Sequence, residues 1–210
     1  MAVPSIHELI AKGMGRSMSV GAFSTGIVGG GAGTVLDLDQ PEFVVGVPSG
    51  YCIRLIRVEI NVHPGIEIAD SDEVDVLVGV DVMGLAQLLS AETCTIENPI
   101  NMRTDLGNGS MCRTASAVTA NIATITAVGT SAAPVLDLEL ARVVQTTNFG
   151  DATGISHRIV RLEYQPEYPL FLVGPCTVLG YWGGTIANVG GFAVVQWVEG
   201  RPDELGLVAI

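Results

Sequence analysis

Val74, Val76, Val78, Val80 and Val82 alternate with Glu73, Asp75, Leu77, Gly79 and Asp81. A period of two places these sets on opposite sides of an extended chain, so the segment reads as a strand with a valine face and a mostly polar face. Residues 51–63 carry the same period with a break. Tyr51, Ile53 and Leu55 share one phase, and Ile56, Val58, Ile60 and Val62 share the other. A change of phase within one strand requires a bulge or a bend.

Further strand patterns are expected at 35–38, 43–47, 117–127, 134–144, 157–164, 170–173, 177–182 and 192–199. Turn signals punctuate them: His63-Pro64-Gly65, Gly107-Asn108-Gly109, Gly183-Gly184 and Gly190-Gly191. Only residues 84–92 suggest an internal helix. Roughly ten strands joined by short turns define an all-β sandwich or barrel. The absence of alternating βα units excludes Rossmann and TIM architectures.

Ahead of this body lies a short head. Ser5 is a candidate N-cap, Ile6, Leu9, Ile10 and Met14 follow at helical spacing, and Gly13 and Gly15 stop the helix. A helix this short is marginal in water and needs a surface to dock on, either its own body or a neighbouring subunit. Residues 21–33, GAFSTGIVGGGAG, then form a glycine-rich hinge with little side chain to pack. The expected division is an arm and hinge at 1–33 and a β-sandwich domain at 34–210. Ile6, Leu9, Ile10 and Met14 are the candidate subunit contacts of a mobile arm.

The composition limits partners. Net charge is -12, and Lys12 is the single lysine. Nucleic acid, which requires clustered basic residues, is therefore not an expected partner. No run of about 18 apolar residues suggests a membrane helix, and the first residues lack the basic start of a secretion signal, so cytoplasmic synthesis is expected. Apolar residues make up 48% and charged residues only 15%, so part of the apolar surface is expected to be covered by another copy. Cys52, Cys94, Cys112 and Cys176 form no CxxC pair; they read as buried thiols, with a Cys94 to Cys112 disulfide as the alternative.

No catalytic signature is found: there is no GxSxG, no GxxxxGK[ST] and no HExxH. His63 and His157 read as surface residues at strand ends. Asp70, Asp72, Glu73 and Asp75 form an acidic cluster, in which Asp70 and Asp72 are a weak calcium candidate, with Glu97 and Asp105 able to complete it; a solvated acidic rim is the plainer reading. Tyr168, Tyr181 and Trp182 flank turns and could stack a sugar ring or form an interface, with a core or subunit-contact role as the alternative for Trp182; Trp197 shares a face with Ala193 and Val195 and reads as buried. Asn108-Gly109-Ser110 matches a glycosylation acceptor but reads as a turn. Finally, VLDLDQ at 35–40 is echoed by VLDLEL at 135–140, and RLIRVE at 54–59 by RIVRLE at 158–163, at nearly equal offsets. Alternation puts Arg54 and Arg57, and likewise Arg158 and Arg161, on opposite faces.

The head, the glycine-rich linker and a body ending in PLFLVGPCTVLGYWGG and FAVVQWVEG resemble the single jelly-roll structural proteins of viruses, including phage capsid and decoration subunits. The resemblance implies a jelly-roll-like antiparallel β-sandwich tethered by its arm in a virion. It implies a trimer or pentamer of the chain that also contacts other virion proteins, with no catalysis and no cofactor. A carbohydrate- or receptor-binding β-sandwich module is the alternative.

Overall fold

Alternating apolar residues can be buried only if two sheets turn those faces toward each other, and the computed structural model shows how this chain does so. It describes residues 3–21, 27–28, 36–63, 72–82, 85–87, 93–119, 123–126, 130–132, 135–147, 159–184 and 190–207. Helix α1 (Ile6–Ala11) leads into β1 (Gly15–Val20), β2 (Ile27–Val28), β3 (Phe43–Val47), β4 (Cys52–His63), β5 (Asp72–Asp81) and β6 (Leu85–Gln87). Then come β7 (Thr95–Ile96), β8 (Ile100–Asn101), β9 (Arg113–Ser116), β10 (Ala123–Thr126), β11 (Thr130–Ala132) and β12 (Leu138–Thr147). The chain finishes with β13 (Val160–Tyr164), β14 (Phe171–Val173), β15 (Cys176–Gly184) and β16 (Gly190–Gly200).

One sheet runs β13-β4-β16-β1-β8, with β14 also on β4 and β2 on β16. The other runs β12-β5-β15-β3-β9-β7, and a small sheet joins β11, β10 and β6. The protein is an all-β sandwich of antiparallel strands. Between the two large sheets lies the main core, where Val74, Val76, Val78 and Val80 meet Trp182, Trp197, Phe43 and Ile60. Each such side chain contributes roughly 1.5–3 kcal/mol on leaving water.

The phase break in β4 is a bulge. Leu55 pairs with Trp197 and Arg57 with Gln196, so Ile56 has no opposite residue. Inward residues are Ile53 and Leu55 before it and Val58, Ile60 and Val62 after it. The bulge also corrects the placement of the arginines. Because one residue is inserted between them, Arg54 and Arg57 both avoid the core rather than lying on opposite faces. The two echoed basic segments become neighbours, since β13 pairs with β4. Across them Arg57 and Arg161 bond Glu59 and Glu163 at 2.5–3.1 Å.

Other expectations shift. The helix expected at 84–92 is strand over its described part, β6, and residues 36–40 form no strand. The mostly polar face of β5 is in water only at one end: Glu73 is exposed, whereas Leu77 is 3% exposed and Asp81 is buried. That outer face carries its own cluster, in which Leu36, Leu136, Cys94 and Val118 cover Val44, Leu77, Leu179 and Tyr181. β15 is therefore buried along its whole length, as a strand covered on both faces must be.

Residues 22–26 and 29–33 of the expected hinge lie outside the described residues. The segments on either side of them belong to one sheet, because β1 pairs with β16 from Gly15 to Val20 and β2 pairs with Gly190 and Gly191 of the same strand. The boundary at residue 33 thus does not separate a head from the body, since β1 is an interior strand of the sandwich.

Candidate functional site

The residues that the sequence singles out are best followed in three groups. The first is the head. Ser5 and Glu8 form a capping box, with Glu8 N–H donating to Ser5 Oγ (3.3 Å) and Ser5 N–H donating to Glu8 Oε2 (2.7 Å). The Ser5 backbone donor, followed by its hydroxyl, holds the Glu8 carboxyl below its ordinary range. Of the four expected subunit contacts, Leu9 is fully buried against Cys52, Val198 and Leu205 of the same chain, and Ile10 and Met14 pack on that cluster. Ile6 is half-buried. The apolar stripe of the helix thus docks on its own sheet. The bulge residue Ile56 contributes to the surface it covers.

A buried charge pins this arrangement. Glu199 is 2% exposed and accepts bonds from Ser110 Oγ (2.6 Å), Met111 N–H (3.1 Å) and Trp197 Nε1 (3.0 Å). Its fourth partner is Arg16, with Nε 3.0 Å from Oε1. Arg16 in turn donates to the Gly13 and Gly15 carbonyls (2.7 and 3.0 Å) and to the Gly109 carbonyl. The Asn108-Gly109-Ser110 turn is thereby tied to the helix exit. Beside the pair lies a cavity of about 350 Å³ bordered by Lys12, Met111 and Glu204. A buried carboxylate engaged by four donors acts as a fixed counter-ion, which joins β16, β1 and the 109–111 turn. Strand alternation in the sequence gives no sign of it.

The second group is the set of aromatics, which do not converge. Tyr181 (1% exposed) lies on the covered outer face of its sheet and donates its hydroxyl to the Leu38 carbonyl at 2.9 Å. Burial, then the negative charges of Glu42, Asp39, Asp37 and Asp81, push that hydroxyl far above its ordinary range. Trp182 (0%) points into the main core, as does Trp197. Two of the three expected ligand aromatics are therefore packing residues. Tyr168 alone is open, at 76%, beside a hollow of about 300 Å³ formed with Tyr164, Pro166 and Leu170. Of the calcium candidate, Asp70 and the Asp72 side chain lie outside the described residues. Asp75 binds Arg142, Asp105 binds Arg103, and Glu97 accepts from the Ser116 hydroxyl.

The third group was legible only as the echo. Leu36 and Leu38 of the first echoed segment and Leu136 and Glu139 of the second meet on the outer face of the six-stranded sheet. Leu36, Leu38, Leu77 and Leu136 line a hollow of about 310 Å³ there, with Asp75, Glu139 and Arg142 on its border. Leu136 lies directly over Gly79, where any Cβ would stand 2.8 Å from its Cδ2. Asp37 and Asp137 cap neighbouring backbone, accepting from Asp39 N–H (3.0 Å) and Val82 N–H (3.1 Å). Arg142 is held by both oxygens of Asp75, at 3.1 and 2.5 Å.

No disulfide links the four cysteines, and all are buried. Burial raises the Cys52 thiol to about 11 and the Cys176 thiol to about 12, and drives Cys112 well upward. These are structural thiols rather than nucleophiles. No helix among the described residues is long and apolar enough to cross a membrane. Comparison of the sequence with protein-family models and with curated proteins yields no match.

Proposed function

We propose that this protein is a non-enzymatic structural subunit of a viral shell, a jelly roll whose activity is symmetric assembly with copies of itself. The strand order carries the reading. Among the described residues, eight strands have five or more residues, namely β1, β3, β4, β5, β12, β13, β15 and β16. Numbered one to eight along the chain, they lie in the orders six-three-eight-one and five-four-seven-two. First pairs with eighth, second with seventh, third with sixth and fourth with fifth, which is a long hairpin rolled into two Greek keys. This order supports a jelly roll, the architecture that the resemblance to viral structural proteins implies.

Val135 (60%), Ile100 (58%), Val144 (52%) and Ile96 (47%) are exposed large apolar residues on separate elements of the single chain, positions at which a contact between copies can be sought. The head has no anchoring role in this reading, since its apolar stripe is already occupied.

Light-scattering mass measured during size exclusion, over a wide range of concentration, tests the proposal. A closed trimer or pentamer is expected. A strict monomer throughout would defeat it. One observation favours the carbohydrate-binding reading, the exposure of Tyr168; glycan binding lost in Tyr168→Ala with unchanged mass and stability would establish that reading instead.

A further inference from the structure

We infer that Asn108 is a self-modifying site, where the side-chain amide is lost to attack by the next backbone nitrogen and the resulting isoaspartyl link loosens the hold of this turn on the helix exit. The inference does not depend on the assembly reading. Its nucleophile is the Gly109 nitrogen. Asn108 and Gly109 are both exposed, so water and hydroxide reach them. The Gly109 N–H has no hydrogen-bond partner among the described residues, and nothing stands within 4 Å of where a Cβ would lie at this residue. Glycine brings no side chain to oppose the rotation that turns its nitrogen toward the preceding amide. On the electrophile, Asn108 Oδ1 accepts the Asn101 N–H at 2.9 Å. A backbone donor at that oxygen stabilises the negative charge that gathers there when Cγ is attacked, as an oxyanion-hole donor does. No other asparagine in the chain precedes a glycine, and Asn101, beside it, is 3% exposed.

Water is the only co-reactant. Hydroxide takes the Gly109 amide proton, the nitrogen bonds Asn108 Cγ, and the Cγ–Nδ2 bond breaks to release ammonia, which takes its last proton from water. Water then opens the cyclic imide. Opening at Cγ leaves aspartate on an unchanged backbone. Opening at the main-chain carbonyl leaves isoaspartate, with the chain running through Cβ and Cγ and so lengthened by a methylene. The location gives the longer link its effect: the Gly109 carbonyl accepts from Arg16, which also holds the Gly13 and Gly15 carbonyls and Glu199. Lengthening the chain just before Gly109 moves that carbonyl off Arg16, whereas aspartate keeps it in place and keeps an oxygen for the Asn101 N–H.

The full chain, folded and in parallel unfolded in urea, is aged at neutral and alkaline pH in heavy-oxygen water. Peptide mapping by mass spectrometry with electron-transfer fragmentation then separates aspartyl from isoaspartyl products. Heavy-oxygen uptake at residue 108 of the folded chain is expected to rise with hydroxide and to exceed that at every other asparagine by about tenfold or more. Gly109→Ala, whose methyl meets nothing, should slow it about tenfold by restricting the nitrogen. An intact Asn108 in the folded chain beside conversion in urea would overturn the inference, since the fold would then protect the site. An equal rate in Gly109→Ala would overturn it too. The isoaspartyl form, resolved by its added negative charge on anion exchange, should show faster hydrogen exchange at the Met14 amide, while Asn108→Asp should match the fresh chain. Unchanged exchange in the isoaspartyl form would overturn the loosening of the helix exit.

Discussion

Replacing Leu9 by alanine tests where the head belongs. Leu9 is completely buried against Cys52, Val198 and Leu205, so the substitution removes three buried carbons. At about 0.8 kcal/mol each, the transfer loss is roughly 2.4 kcal/mol. The hollow left behind adds to it, since substitutions of this kind cost about 2–5 kcal/mol. A six-residue helix can settle into part of the space, which favours the lower half of that range, about 3 kcal/mol. The cost cannot exceed the free energy of docking the head, because beyond that point the head would release and leave the sandwich folded. Urea unfolding at low protein concentration reads the loss as a fall in midpoint of roughly 1 M, for a slope near the top of the usual 1–3 kcal/mol/M. His7→Ala, at an exposed position of the same helix, should cost almost nothing. Hydrogen exchange supplies the local measure, with faster exchange at the Met14 amide, which bonds the Leu9 carbonyl at 3.1 Å. A loss below about 0.5 kcal/mol would refute the reasoning. So would a loss that vanishes on dilution, because Leu9 would then be gripping a neighbour.

Three further outcomes are expected. Trp182→Ala should destabilise the fold by roughly 3–5 kcal/mol in thermal or urea unfolding, as a fully buried indole does; a stable variant would mean that the side chain is not core. Glu199→Gln should cost roughly 3–5 kcal/mol because it leaves the Arg16 guanidinium without its counter-ion, and adding Arg16→Met should recover part of that loss in a double-mutant cycle; full additivity would break the claim that the two act as a pair. Stability should fall as pH rises above about 9, the ordinary thiol value, toward the native values of about 11 and 12 for Cys52 and Cys176. Over that window the unfolded chain loses thiol protons that the native chain keeps, so each thiol costs about 1.4 kcal/mol per pH unit. A flat profile, or a slope unchanged in Cys52→Ala/Cys176→Ala, would count against it.

Much of the fold was readable along the chain. The valine alternation of β5 and the phase break of β4 both appear where expected, because strand alternation and its interruption are local properties of a few neighbouring residues. Burial of Trp197 followed from its place beside Ala193 and Val195 on one face. The candidate site was less legible. Tyr181 and Trp182 are adjacent and near a glycine turn, and nothing local distinguishes such a pair from exposed ligand aromatics. They became packing residues because β15 lies between β5 and β3 with cover on both faces. The leucine hollow was visible only as a repeated hexapeptide, and leucines from its two copies are brought together by the sheet.

Period-two patterning established that this chain pairs strands and hides a valine and tryptophan layer, since alternation assigns side chains to faces whatever the neighbours are. It left open what lies over each outer face. That was settled by contacts distant in sequence. Helix α1 covers Cys52 and Val198, residues 36 and 136 cover Leu77, and Arg16 reaches Glu199. An apolar stripe specifies that it must be covered but not by which partner, because the hydrophobic effect has no direction and the covering segment is chosen by how the sheets place it.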